Sequence, residues 1–261
     1  MFRLHRDEGR ASAAGFVRAL WPAGRLALDT LLPMQCLSCG TVVGAEGGLC
    51  AKCWPKVTFI QSPQCAACGL PFAHDVGVGA RCGACSRELP PYDRARAAFV
   101  YDDASRNLVL SFKHADRTDA ASVYARWMAQ AGAALIEEAD VIAPVPLHWT
   151  RLLRRRYNQA ALLVIALAHR SGTRADPSLL VRTRRTPSQG GLGVTGRREN
   201  VRGAIAVRDG RQDGIAGRRV LVVDDVFTTG ATAAACTRAL LRSGAKAVDL
   251  LTLARVVRPI F

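Results

Sequence analysis

Lysine is almost missing from this chain, with four in 261 residues, and aromatic side chains are sparse at 6%. With so little lysine, the Walker pattern GxxxxGK[ST] does not occur, which argues against a nucleoside triphosphatase loop. No apolar run reaches the ~18 residues that a membrane helix requires, so no membrane span is expected. The opening MFRLHRDEGRASAAG carries charge with no apolar stretch behind it and does not read as a secretory leader. Residues 13–32 read instead as an amphipathic helix interrupted near Trp21-Pro22, packed on the next domain of the chain.

What the chain has in excess is arginine. Lys and Arg outnumber Asp and Glu 36 to 21, giving a net charge of +15 and an isoelectric point near 10.2. Between Val141 and Val220 there are 16 Arg against 4 acidic residues. An arginine-biased genome accounts for the scarcity of lysine but not for this clustering. Such a field attracts phosphate, either in nucleic acid or in small phosphorylated metabolites. An apolar content of 49% is ordinary for a globular protein, with room for one large domain or two smaller ones.

Eight of the nine cysteines form CxxC pairs: Cys36/Cys39, Cys50/Cys53, Cys65/Cys68 and Cys82/Cys85. A two-residue gap lets both thiolates face one tetrahedral metal, and Zn²⁺ takes two such knuckles. A disulfide framework needs an oxidising compartment, and repeated pairs outside a βαβ context do not suit thioredoxin chemistry. Two closed, structural zinc sites are therefore expected. Sequential pairing is the natural reading, although a crossed pairing, or His74 in place of one thiolate, also satisfies the spacing. The metal would supply much of the folding free energy of this short segment. Around it Trp54, Phe59 and Phe72 are too few to predict a base-stacking platform.

Pro90-Pro91 marks a boundary, after which strands and helices alternate. Strands are expected over 95–101, 140–147, 179–182, 219–224 and 247–253, with helices over 120–138, 157–170 and 232–242. Continuous apolar strands alternating with helices predict an α/β fold with a parallel sheet covered on both faces. The domains expected are an N-terminal helical segment (1–33), a double zinc ribbon (34–90) and the α/β domain (91–261). Ligands in such sheets bind beyond the carboxyl ends of the strands. There the segment VLVVDDVFTTGAT, Val220 to Thr232, places Asp224 and Asp225 after a buried strand and then opens a helix through a Thr-Gly turn. The uncapped amides and dipole of a helix start favour a phosphate. Two carboxylates beside it suit the hydroxyls of an attached ribose, because carboxylates accept hydrogen bonds strongly. The stretch predicts a ribose 5-phosphate site. GLGVTG, Gly191 to Gly196, matches GxGxxG but does not directly follow a strand, and reads as a glycine-rich loop. Cys236, on the helix after the turn, reads as a small buried apolar residue.

VLVVDDVFTTGAT resembles the 5-phosphoribosyl-1-pyrophosphate (PRPP) loop of type I phosphoribosyltransferases. With the cysteines, and with the blocks VYDDASRNLVLSFKHADR, PVPLHWTRLLRRRYNQA and RTRRTPSQGGLGVTGRRENVRGAIAV, the chain from about residue 30 onward resembles the ComF family. The resemblance implies a double zinc ribbon joined to a type I phosphoribosyltransferase domain. It implies PRPP with Mg²⁺ as the ligand, and single-stranded DNA and DNA-uptake proteins as partners in natural transformation, on the cytoplasmic side. Asp224 and Asp225 would then meet the ribose hydroxyls as the catalytic acids. Thr228, Thr229, Gly230, Ala231 and Thr232 would wrap the 5-phosphate, and Arg151, Arg154 and Arg156 would reach the diphosphate. Residues 184–198 would form the mobile loop over the site. Lys113 reads equally as a diphosphate contact and as a solvated helix-end cation. Arg156 stands where family members often carry glycine. No general base is identifiable, so two readings stand: a phosphoribosyltransferase of unknown acceptor, and a non-catalytic PRPP sensor or single-stranded nucleic-acid scaffold.

Overall fold

In the computed structural model the described residues are 34–44, 48–114, 117–186 and 194–257, so the helix expected over 13–32 lies outside them. The chain divides into two compact units, Met1–Cys53 and Trp54–Phe261. The first holds a tight knuckle: the Gly40 N–H donates to the Cys36 carbonyl at 2.9 Å, and the Cys36 N–H to that of Thr41 at 2.7 Å.

The second unit is built on a parallel sheet in the order β1-β6-β5-β2, from β1 (Arg94–Val100), β2 (Val141–Pro144), β5 (Arg219–Phe227) and β6 (Ala247–Arg255). All nine residues of β6 are buried, as its continuous apolar sequence requires for a strand covered on both faces. A separate antiparallel pair joins β3 (Leu180–Arg182) to β4 (Ile205–Val207). The helices are α1 (Gly83–Arg87), α2 (Asp103–His114), α3 (Ala120–Ala131), α4 (Ala133–Glu137), α5 (Trp149–Arg155), α6 (Gln159–Ser171), α7 (Val194–Val201) and α8 (Ala231–Arg242). Helices α3 and α6 pack together on the sheet, while α8 packs against β5 and β6 and also meets β4 and α7. This is the α/β, parallel-sheet architecture expected.

Two elements differ from the sequence reading. The single helix expected over 120–138 is two helices that part at Gly132, where a Cβ would lie 2.6 Å from the Leu251 side chain. Strand β5 does not stop at Asp224 but runs on through Asp225 to Phe227, because β6 extends equally far and offers ladder partners, Thr252 to Asp224 and Arg255 to Phe227. Beneath the sheet, the fully buried Asp249 accepts from Arg94 Nη2 at 2.8 Å and from Arg219 Nη1 at 2.9 Å, tying the starts of β1 and β5 to β6.

The second cysteine segment is fastened to the outer strand by backbone hydrogen bonds. Ile60 and Ala95 donate to the carbonyls of Ala98 and Ala67, at 2.9 and 2.7 Å, and Val100 donates to that of Thr58 at 2.8 Å. These bonds cover part of an edge that would otherwise be open to foreign strands. The approach is close enough to demand glycine at 69, where φ is +68° and a Cβ would sit 2.4 Å from the Ala95 carbonyl oxygen. Gly69→Ala is expected to cost at least ~2 kcal/mol, since it adds left-handed strain to overpacking. Denaturant unfolding of the zinc-loaded protein will measure it, and an unchanged midpoint would contradict the packing described.

Candidate functional site

Two groups of four thiols converge, Cys36, Cys39, Cys50 and Cys53 in the first unit and Cys65, Cys68, Cys82 and Cys85 in the second, each with all Sγ atoms within 4.8 Å of one another. The pairing is thus sequential, and His74 belongs to neither group. Thiolates held ~2.3 Å from a tetrahedral zinc stand ~3.8 Å apart. The Cys39–Cys50 and Cys68–Cys82 separations of 3.7 and 3.6 Å fit that ion. Backbone amides support the buried sulfurs: Cys50 N–H donates to Cys36 Sγ at 3.3 Å, and Cys82 N–H to Cys65 Sγ at 3.3 Å. These are zinc-binding sites of the closed, structural kind, with sulfur in all four positions.

A cleft of about 320 Å³ opens at the carboxyl ends of β2 and β5. The chain leaves β2 towards α6 and leaves β5 into α8, which is the crevice in which open α/β sheets hold ligands. Asp224 and Asp225, successive residues of a strand, take different surroundings. Asp225 Oδ2 meets Lys113 Nζ, from the end of α2, at 2.9 Å. Asp224 Oδ1 accepts the Asp225 N–H at 2.9 Å. Burial and the adjacent Asp225 charge push the Asp224 carboxyl up to about 7, against the pull of the Asp225 N–H, Lys113 and Arg182.

After Phe227 a three-residue turn leads into α8, capped by Gly230 in the left-handed region (φ +76°) with no side chain closing the helix start. The first amides of this helix have no intrahelical acceptor. Thr228, Gly230, Ala231 and Thr232 line the cleft; Thr229 does not, and its buried Oγ1 has no hydrogen-bond partner. Cys236 is fully buried in the core behind them.

Among the described residues the cations that line the cleft are Lys113, Arg155 and Arg182. The side chains of Arg151 and Arg154 lie outside the described residues. Arg156 is not among the cleft-lining residues; it caps α5 in the left-handed region, at φ +65°, the only non-glycine described there. Helix α5 turns at the position where the resembled family often has glycine, and the preceding Arg155 is the residue that reaches inward. The RRYNQ block also fastens α2: Tyr157 Oη and Gln159 Nε2 donate to the carbonyls of Phe112 and Lys113, at 3.0 and 3.3 Å, which fixes the helix end that carries Lys113. Asn158 caps α6 through Oδ1 and holds the Val145 carbonyl through Nδ2 at 3.1 Å. Sequence reasoning missed Arg155 and Arg182. The first was legible, as the arginine that opens the quoted block; the second has no signal in its neighbourhood. Of residues 184–198, 187–193 lie outside the described residues and 194–198 begin α7, so the second half of GLGVTG is helical.

The double zinc ribbon domain family matches residues 27–94. The DNA utilization protein YhgH of Salmonella typhimurium is 33% identical over 215 residues, covering 80% of this chain and 91% of that protein. The chain belongs to the ComF family. Competence protein F of Haemophilus influenzae, 29% identical, covers 85% of this chain and 96% of its own length. Among solved structures, the allosteric regulatory enzyme of purine biosynthesis aligns over 55% of this chain and 30% of its own at 19% identity and a TM-score of 0.37. Orotate phosphoribosyltransferase from Aeropyrum pernix aligns over 61% and 80%, at 18% identity and a TM-score of 0.33. This ComF chain has an α/β fold with a parallel sheet and two groups of four cysteines. Its departure at Arg156 carries a cost that can be read out: Arg156→Val is expected to be less stable than Arg156→Gly by ~1–2 kcal/mol, because both lose the guanidinium and only valine keeps a Cβ in the left-handed region. Thermal melts of the two variants will show the difference.

Proposed function

We propose that the cleft binds PRPP together with Mg²⁺, in a cytoplasmic protein that acts on single-stranded DNA during its uptake or use. The observation that carries the reading is the convergence of a carboxylate pair, an uncapped helix start and three cations within one cleft. In this reading the amides of α8 and the hydroxyls of Thr228 and Thr232 hold the 5-phosphate, and Asp224 and Asp225 accept from the ribose 2- and 3-hydroxyls. Lys113, Arg155 and Arg182 face the diphosphate, where arginine suits the forked oxygens of phosphate. Lys113 must then exchange Asp225 for a phosphate, so its ion pair is the contact that ligand entry breaks. The carboxylates and phosphates present the hard oxygen donors that Mg²⁺ prefers, and the ion would neutralise charge on a departing diphosphate. Breaking the C1–O bond leaves a positively charged sugar, which the carboxylates stabilise. Transfer of the phosphoribosyl group is the reaction this arrangement supports. The arginine-rich span 141–220 supports electrostatic attraction of a DNA strand, and the names of the relatives associate them with DNA utilisation and competence.

Calorimetric titration of PRPP with Mg²⁺ tests the site. The Asp224→Asn/Asp225→Asn double variant is expected to lose at least about tenfold in affinity, the scale of one strong charge-assisted contact. Equal affinities for the two proteins, or no binding to the wild type, would sink the reading.

The pH dependence has a definite sign. Asp224 must be ionised to accept from the sugar, and its carboxyl sits near 7 in the free protein. Affinity should therefore rise by about tenfold between pH 6 and pH 8. The step should be absent in Asp224→Asn, which separates it from the titration of the ligand's own phosphates. Stability of the free protein runs the other way: the folded state holds this proton more tightly than the unfolded chain, so the contribution is lost as pH rises from about 4 to 7.

A further inference from the structure

A second cavity of about 720 Å³ lies on the far side of the threonine turn and shares Phe227, Thr228, Gly230 and Ala231 with the cleft. The partition between the two is thin. Gly230 has no side chain to thicken it, and a Cβ there would stand 3.0 Å from the Phe227 ring and 3.5 Å from Tyr92 Oη. One face of α8 forms a wall of this cavity through Ala231, Ala234 and Arg238, the i, i+3, i+7 pattern of a helix stripe. The two alanines leave a track from the helix start to an exposed guanidinium ~10 Å along the axis. Leu70, Pro90, Pro91 and Tyr92 supply an apolar surface, while Arg87 and Arg202 stand exposed at the rim with Glu88 and Glu199. Thr229 turns to this side with its buried Oγ1 unpartnered.

An apolar surface bordered by arginines, entered past a phosphate site, fits a flat base carrying phosphate. We propose that this cavity is a subsite for whatever is joined to the 5-phosphate, so that the protein accepts a phosphoribosyl ligand whose 5-phosphate is linked to a further nucleoside phosphate, as in a nucleoside diphosphate ribose. The terminal ribose occupies the cleft, the first phosphate sits at the start of α8, the second passes along Ala231 and Ala234 towards Arg238, and the base rests on the proline and tyrosine surface. The proposal rests on the phosphoribosyl reading of the cleft.

The test compares ribose 5-phosphate, ADP-ribose and PRPP with Mg²⁺ by calorimetry on the zinc-loaded full chain, with Arg238→Glu and Ala234→Trp as variants. ADP-ribose is expected to bind at least about tenfold more tightly than ribose 5-phosphate. Arg238 is exposed, so Arg238→Glu should keep the fold, checked by its melting temperature; it should erase that margin and leave ribose 5-phosphate and PRPP unchanged. Ala234→Trp, which fills the track, should do the same. If PRPP binds but ADP-ribose gains nothing over ribose 5-phosphate, or keeps its margin in both variants, the subsite is wrong and the phosphoribosyl site stands. If neither PRPP nor ribose 5-phosphate binds, both proposals fall.

Discussion

The functional half of this protein depends on the parallel pairing of β5 with β6 over nine residues each. A strand that ended at Val223 would leave its carboxylates on a loop, free to turn away from each other and towards water. Because β6 continues to Arg255, the ladder carries Asp224, Asp225, Val226 and Phe227 in fixed alternation. One side chain is thereby delivered to Lys113, one is left beneath its neighbour's amide, and Phe227 is set against Tyr92 at 6.3 Å. The turn needs only three residues after that, and its glycine takes the conformation that no other residue adopts cheaply.

Charge in the cleft is arranged so that the free protein holds its carboxylates without ligand. Lys113 satisfies Asp225, while burial and the adjacent Asp225 charge hold Asp224 near its proton-binding midpoint. The helix α2 that brings Lys113 is itself held by Tyr157 and Gln159, from the same block that brings Arg155. Two sequence blocks far apart in the chain thus converge on the same few ångströms, and each loses its purpose without the other.

The sequence was most transparent where chemistry fixes the spacing. Eight cysteines in CxxC pairs announce two metal sites, and the segment VLVVDDVFTTGAT announces the carboxylates and helix start that meet in one cleft. The α/β class was legible from uninterrupted apolar strands. What stayed hidden depended on pairing across the chain. That β5 outlasts the aspartates is decided by β6, twenty residues on; that α3 breaks at Gly132 is decided by Leu251. Among the arginines, composition gives attraction to phosphate but no direction. Arg155, Arg156 and Arg182 are alike in sequence, and only the turn at Arg156 and the β3–β4 pairing separate those that face the cleft from the one that does not.

Arg255 closes the far end of the same ladder. Its guanidinium is buried, lies 4.9 Å over the Phe227 ring, donates to the Cys68 carbonyl and stands 3.5 Å from the Cys68 sulfur. A zinc ion with four thiolates carries two negative charges, and this arginine balances one of them inside the protein. Loss of the metal would strand a cation against the aromatic ring that precedes the threonine turn. The ribbon is therefore a counter-ion for the sheet as well as an ornament at its edge, and the supply of zinc becomes a condition on the shape of the threonine turn.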